Sequence, residues 1–293
     1  MVVLDPELET LTRNQRTICR PVDYSGIGIH SGKKVTIRLC PAEPGSGVVF
    51  QRTDLPGEPV IKASVENVVD TTRSTTIGAA GVFVSTVEHV LAAVKAYGID
   101  NLLIQVSDKE PPIDDGSSRL FVEMIEEGGI QEIDQTTPII KIKNPVYWSR
   151  GGTHLAALPY EGFRVSYTLH YPDDKALQNQ FFSSMVDPQN FKNEIAPCRT
   201  FSRYAELEYL IDRGLIKGGS MANTLVVKDD VVFSKEGLHF KNEMARHKAL
   251  DLIGDLSLVG YNLYTHVIGF RTGHEANVLF AQELLNSIMT EKQ

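Results

Sequence analysis

Cysteine is scarce in this chain: three among 293 residues, at Cys19, Cys40 and Cys198. An odd, widely spaced set argues against a disulfide framework and for a reducing compartment. Long apolar runs are missing. Segments such as Val90–Val94 fall far short of the roughly 20 residues that a membrane helix needs, so no integral membrane segment is expected. The first twenty residues hold Asp5, Glu7, Glu9, Arg13, Arg16 and Arg20 and no apolar core. No secretory signal is visible there, and a cytoplasmic location is expected. Positive charge is in deficit, with 29 Lys+Arg against 37 Asp+Glu and a net charge of −8. Such a chain is a poor general binder of nucleic acid. Low-complexity tracts and a P-loop are absent, and Gly26-Ile27-Gly28 lacks the third glycine and following helix of a dinucleotide fingerprint.

What is present is an ordinary globular composition, 42% hydrophobic and 23% charged. The length suggests two domains at about 150 residues each. Residues 1–14 are polar and aperiodic and read as a loose N-terminal arm. Residues 15–134 form a first domain. Val35–Leu39 alternates as a strand does. Ser85 opens a helix with Val87, Val90, Leu91 and Val94 on one face, and Gly98 ends it. A strand at Leu102–Val106 and a helix at Ser117–Glu127 follow. The pattern restarts near Gln131–Pro138, so residues 135–293 form the second domain. Its strands are read at 139–142, 146–148, 154–158 and 164–171. Further on come a helix at 204–213, a strand at 224–227, a long helix at 242–258, a strand at 262–270 and a last helix at 275–288. Both halves end helix, strand, helix, which suggests a structural duplication. Strands followed by helices favour an α+β fold over a doubly wound sheet.

Three segments concentrate side chains suited to chemistry. In Ser85-Thr86-Val87-Glu88-His89, the spacing of Ser85 and Glu88 matches a capping box, which leaves His89 unexplained. In the segment from His247 to Asp255, Asp251 and Asp255 fall about 40° and 80° around the helix from His247, opposite the apolar face. For a helix taken alone this is a solvated polar face. The i, i+4 spacing of His247 and Asp251 also suits one metal ion. In Gly273-His274-Glu275, His274 sits where a strand meets a helix, either as a plain first-turn residue or as an acid–base group at a cavity rim. Taken together, they supply His89, His247 and Asp251 as two nitrogen ligands and one oxygen ligand. Glu88 is then a base and His274 an acid, with an open position for water, as a hydrolytic zinc site requires. Two histidines and a carboxylate also describe a mononuclear iron(II) oxygenase; the paired acid and base favour hydrolysis. A non-catalytic nucleotide-sugar binder would be marked by loss of one of these five residues, and all are present.

STVEHVLAA (Ser85–Ala93), RHKALDLIGDL (Arg246–Leu256) and GHEAN (Gly273–Asn277) closely resemble the UDP-3-O-acyl-N-acetylglucosamine deacetylases, zinc amidases of lipid A synthesis. GIGIHSGKKV (Gly26–Val35), RTDL (Arg52–Leu55), GIDN (Gly98–Asn101), DGSS (Asp115–Ser118), CRTF (Cys198–Phe201) and RGLIKGGS (Arg213–Ser220) match in the same order. The resemblance spans about Thr17 to the C-terminus.

It implies two α+β domains of similar topology with helices between sheets and the site at their junction. It implies zinc on His89, His247 and Asp251, with iron(II) able to occupy the same ligands. Glu88 would be the general base and His274 the general acid. Asp255 would orient His274, Lys248 approach the diphosphate, Thr200 the oxyanion, Phe201 the sugar and His30 the substrate phosphates. A second-domain insert, about 196–227 here, would hold the acyl chain, with Leu207, Ile216, Gly219, Met221 and Val226 as candidates. Arg271 stands where the family has Lys and keeps positive charge near the nucleotide. The implied partner is an acylated nucleotide sugar, and a monomer is expected.

Overall fold

The computed structural model describes residues 2–207 and 216–291. It is an α+β fold in which, among the described residues, four helices of nine residues or more lie among several sheets. The helices are α1 (Glu88–Ala96), α2 (Arg119–Gly128), α3 (Glu243–Ser257) and α4 (His274–Ile288). Part of the helix expected at 204–213 lies outside the described residues. Only its first residues, 204–207, are seen as helical.

The two halves share one strand plan. In the first, the strand between α1 and α2, Leu102–Val106, is central. It pairs antiparallel with Lys34–Pro41 and parallel with Val48–Arg52. Each neighbour continues into a hairpin partner, Val22–Ile27 and Val60–Lys62. In the second half, the strand between α3 and α4, Asn262–Phe270, is again central. It lies antiparallel to Thr153–Leu158 and parallel to Phe163–Tyr171, whose hairpin partners are Val146–Arg150 and Gln178–Met185. The expected duplication is thus present in the topology, although no residue-level repeat marks it.

The N-terminal arm is a correction. Val2–Leu4 pairs with Met289–Glu291, and Thr10–Ile18 runs along Ile130–Lys141. The second of these pairs extends the second half's sheet. Its outer end is exposed, so no apolar alternation betrays it. Pairing of the main chain, not burial of side chains, makes that segment a strand. The expected boundary at 134/135 falls inside Ile130–Lys141, beside a bulge between Ile133 and Thr136.

Helix α1 is read from sequence as amphipathic, yet Glu88, His89, Ala92 and Ala93 are buried along with Val90 and Leu91. It packs on α2 and α3, and α3 in turn packs on α4 and on the strand Phe163–Tyr171. One apolar core runs through both halves, from Phe50 and Ile104 through Leu91 to Leu252, Tyr167 and Phe280. The contact of α1 with α3 depends on Gly254, where a Cβ would collide with the Glu88 carbonyl. That close approach brings the start of α1 against the middle of α3.

Candidate active site

The start of α1 differs from the expected capping box. The helix begins at Glu88 rather than Ser85, and Val87 at its N-cap makes no side-chain cap. Thr86 takes a left-handed backbone (φ 56°), a strained conformation for a β-branched residue. This turn points Ser85 away, its hydroxyl donating to the Lys109 carbonyl. Glu88 is free to face the interior, where its Oε2 accepts the Thr75 N–H at 3.0 Å.

The polar stripe of α3 is also not solvated. His247 and Asp251 are each 2% exposed and Asp255 is fully buried. Asp251 Oδ1 lies 3.4 Å from His247 Nε2 and 3.9 Å from His89 Nε2. The two rings meet edge to face with centroids 5.1 Å apart. His247 Nδ1 pairs with the Cys198 carbonyl at 3.0 Å, which leaves Nε2 as the lone-pair nitrogen. That carbonyl is held in place by its neighbour Arg199, which donates to fully buried Glu243 at 2.9 Å. Burial holds both imidazoles neutral, pushing His89 down to about 3 and lowering His247. Burial pushes the Asp251 carboxyl up, but the Lys248 ammonium beside it leads the opposing effects and it is kept ionised. Its Oδ2 accepts from Lys248 Nζ at 2.7 Å, whereas buried Oδ1 has no donor.

Such an orphaned carboxylate oxygen, facing two neutral imidazole nitrogens, fits a metal cation. Ligand atoms of His89, His247 and Asp251 lie within 4.8 Å of one another. Ligands about 2.1 Å from a tetrahedral ion are spaced about 3.4 Å apart, close to the separations seen.

Beside this triplet sits an acid–base pair. His274 opens α4 and pairs through Nδ1 with Asp255 Oδ2 at 3.0 Å. Its Nε2 points to Glu88 Oε1 at 3.9 Å. Burial pulls the His274 imidazolium down, but Asp255 and Glu88 outweigh it and hold the ring up at about 9. Burial pushes the Glu88 carboxyl up to about 7, opposed by His274 and aided by Asp255 and Asp251.

These groups open on a cavity of about 720 Å³. Its lining includes His30, Thr200, Phe201 and Lys248, together with Leu207, Ile216, Gly219, Met221 and Val226. Ile29 and Ile113 add to the apolar part of that lining. His30 is held by its loop, since Glu110 accepts the N–H groups of His30 and Ser31. Thr200 is held by Gly116, whose carbonyl accepts the Thr200 N–H at 2.8 Å. Gly116 has φ +86° and abuts the Asn223 carbonyl, so no side chain fits there. Arg271 lies apart. It lines a smaller cavity of about 480 Å³ that shares Lys248 with the main one. Cys198 is buried with its thiol pushed up by burial, which excludes it as a nucleophile.

Sequence reasoning missed several lining residues. Thr71, Arg73, Thr86, Trp148 and Arg150 face the main cavity. Thr75, in a run of three hydroxyl residues, touches Glu88, Asp255 and His274 at once. Only the density of hydroxyls at Ser74-Thr75-Thr76 hints at it.

Two imidazoles and a carboxylate around one point, flanked by a paired acid and base in a deep cavity, are the donor set of a mononuclear metal-dependent hydrolase. The family model for UDP-3-O-acyl N-acetylglycosamine deacetylase (LpxC) matches residues 15–286. A protein of Chlamydia muridarum named UDP-3-O-acyl-N-acetylglucosamine deacetylase is 46% identical over 283 residues, covering 97% of this chain and 99% of the relative. Its namesake from Chlamydia pneumoniae is 44% identical over 279 residues, 95% of this chain and 99% of the relative. The chain belongs to the LpxC deacetylase family. Among the described residues, no helix is long and apolar enough to cross a membrane.

Proposed function

We propose that this protein hydrolyses the N-acetyl group of UDP-3-O-acyl-N-acetylglucosamine, releasing acetate and freeing the glucosamine amine, the committed step of lipid A synthesis. The observation that carries this reading is the juxtaposition of Glu88 and His274, 3.9 Å apart, with the His89–His247–Asp251 triplet in one cavity. Zinc held by those three residues would supply Lewis acidity toward the acetamide carbonyl and would lower the pKa of water to about 7. Iron(II) suits the same donors.

The rest of the chemistry belongs to the chain. Glu88, through Oε1, takes a proton from the attacking water. The Thr200 hydroxyl, at the cavity wall, donates to the carbonyl oxygen as negative charge develops there. His274 begins protonated and gives its Nε2 proton to the leaving amine. Asp255 holds the other ring nitrogen and keeps the imidazolium charged until that step. Turnover requires Glu88 ionised and His274 protonated, so it falls on both sides of a pH optimum. Lys248 lies between the two cavities, near Phe201 on one side and Arg271 on the other. It suits the diphosphate, with Phe201 against the sugar and His30 and Arg271 toward the phosphates and nucleotide. The lining residues Leu207, Ile216, Gly219, Met221 and Val226 take the 3-O-acyl chain. In this reading the protein works as a cytoplasmic monomer of two domains.

The test is acetate release from UDP-3-O-acyl-N-acetylglucosamine by metal-quantified protein, with a chelator and with zinc added back. Chelator-sensitive release restored by one zinc per chain is expected. A folded, zinc-loaded protein that releases no acetate would refute the assignment.

A further inference from the structure

Thr75 is fully buried and uses every polar group it has on the acid–base pair and its helix. Its N–H donates to Glu88 Oε2 at 3.0 Å. Its carbonyl accepts the Val87 N–H at 3.2 Å, at the N-terminus of α1. Its hydroxyl donates to Asp255 Oδ1 at 2.5 Å and lies 3.2 Å from His274 Nδ1. The side chain thus joins three elements, because Asp255 is on α3 and His274 on α4.

Each contact selects one atom for chemistry. With Oε2 held by the main chain, Oε1 is the Glu88 oxygen that faces His274 Nε2. Asp255 Oδ2 already accepts from His274 Nδ1 and from Asn277 Nδ2 at 2.9 Å. Among the described residues, Thr75 is the only donor to Oδ1. Without it, the carboxylate is free to rotate about its last torsion, and the His274 ring that leans on it loses its aim.

We propose that Thr75 is a positioning residue for the deacetylation: its hydroxyl locks the Asp255–His274 pair while its main chain presents Glu88. This rests on the base and acid roles of Glu88 and His274 argued above. Thr75 is itself neither a lining residue of the cavity nor a member of the His89–His247–Asp251 triplet, and it acts through Glu88 and His274, so its effect is on turnover and not on substrate or metal affinity.

Thr75→Val keeps the shape and main-chain contacts and removes only the hydroxyl. Its kcat for acetate release is expected to fall about 10- to 100-fold, with KM within about threefold and metal stoichiometry unchanged. Thr75→Ser, which restores the hydroxyl, is expected to return kcat to within about threefold of the parent. Should the valine variant fail to fold, Thr75→Ala carries the same expected loss. A valine variant with parental kcat overturns the proposal, and so does a serine variant as impaired as the valine one, since packing would then explain the loss. Glu88→Ala and His274→Ala are assayed alongside. If both stay active, the acid–base reading falls and takes this proposal with it. If both are inactive while Thr75→Val is not, the Thr75 assignment alone falls.

Discussion

Glu88 and His89 are adjacent in sequence yet face different groups, because one helical step of about 100° turns them to different neighbours. Glu88 meets Thr75 and His274, whereas His89 meets His247 and Asp251. The two can therefore be separated by mutation. Glu88→Ala is expected to keep the metal and lose about 10²- to 10⁴-fold in kcat, the span of a general base. His247→Ala is expected to lose metal, because two ligands remain and Asp251 Oδ1 has no donor to replace it. Elemental analysis beside the acetate assay checks both. An active Glu88→Ala removes the base, and tight stoichiometric metal in His247→Ala breaks the ligand set. His89, His247 and Asp251 were readable from spacing and type. Thr75 was not, because it lies 180 residues from Asp255 and 199 from His274 with no periodicity to link them.

At the level of elements, the site exists because α1 and α3 touch. Gly254 sits one residue before Asp255 and faces the Glu88 main chain. An added methyl there forces the helices apart at the point where Glu88, His274 and the His89–His247–Asp251 triplet converge. Gly254→Ala is expected to cost about 1–3 kcal/mol of stability through overpacking. Thermal unfolding measures that cost, and turnover is expected to drop with it. A variant with parental melting temperature and activity would mean that the helices do not meet at this contact. The helix ends were legible to within a few residues from apolar periodicity and glycine stops. The start of α1 was not, because the strained Thr86 turn overrides the Ser85–Glu88 capping pattern. The strand Gln178–Met185 also escaped notice, since its polar face alternates with only a few buried residues such as Phe182.

Across the whole molecule, the N-terminal residues tie the halves together. Arg13 donates to both oxygens of Asp100, which also accepts from the Arg16 N–H and from Asn262 Nδ2. Asp100 thereby links the first half, the N-terminal strand and the second half's central strand. Deleting residues 2–14 removes the Arg13 contacts and the pairing with 136–140. A loss of more than about 1–2 kcal/mol follows, and the melting temperature is expected to fall by at least about 2 °C. A truncated protein that melts with the parent would restore the reading of this segment as a loose arm.

The sequence by itself pointed to the α+β class, the helix–strand–helix order that ends each half, the candidate residues Glu88, His89, His247, Asp251 and His274, and the family, because each is written in local spacing and residue type. Tertiary structure alone decided that the polar stripe of α3 is buried. It also decided that Thr75 meets Asp255 and His274, that the Cys198 carbonyl pairs with His247 Nδ1, and that the N-terminal segment is a strand. Those facts depend on which distant groups meet. Hydrogen bonds between residues far apart in sequence leave no period in it, and a polar face reads the same whether it meets water or a catalytic cavity.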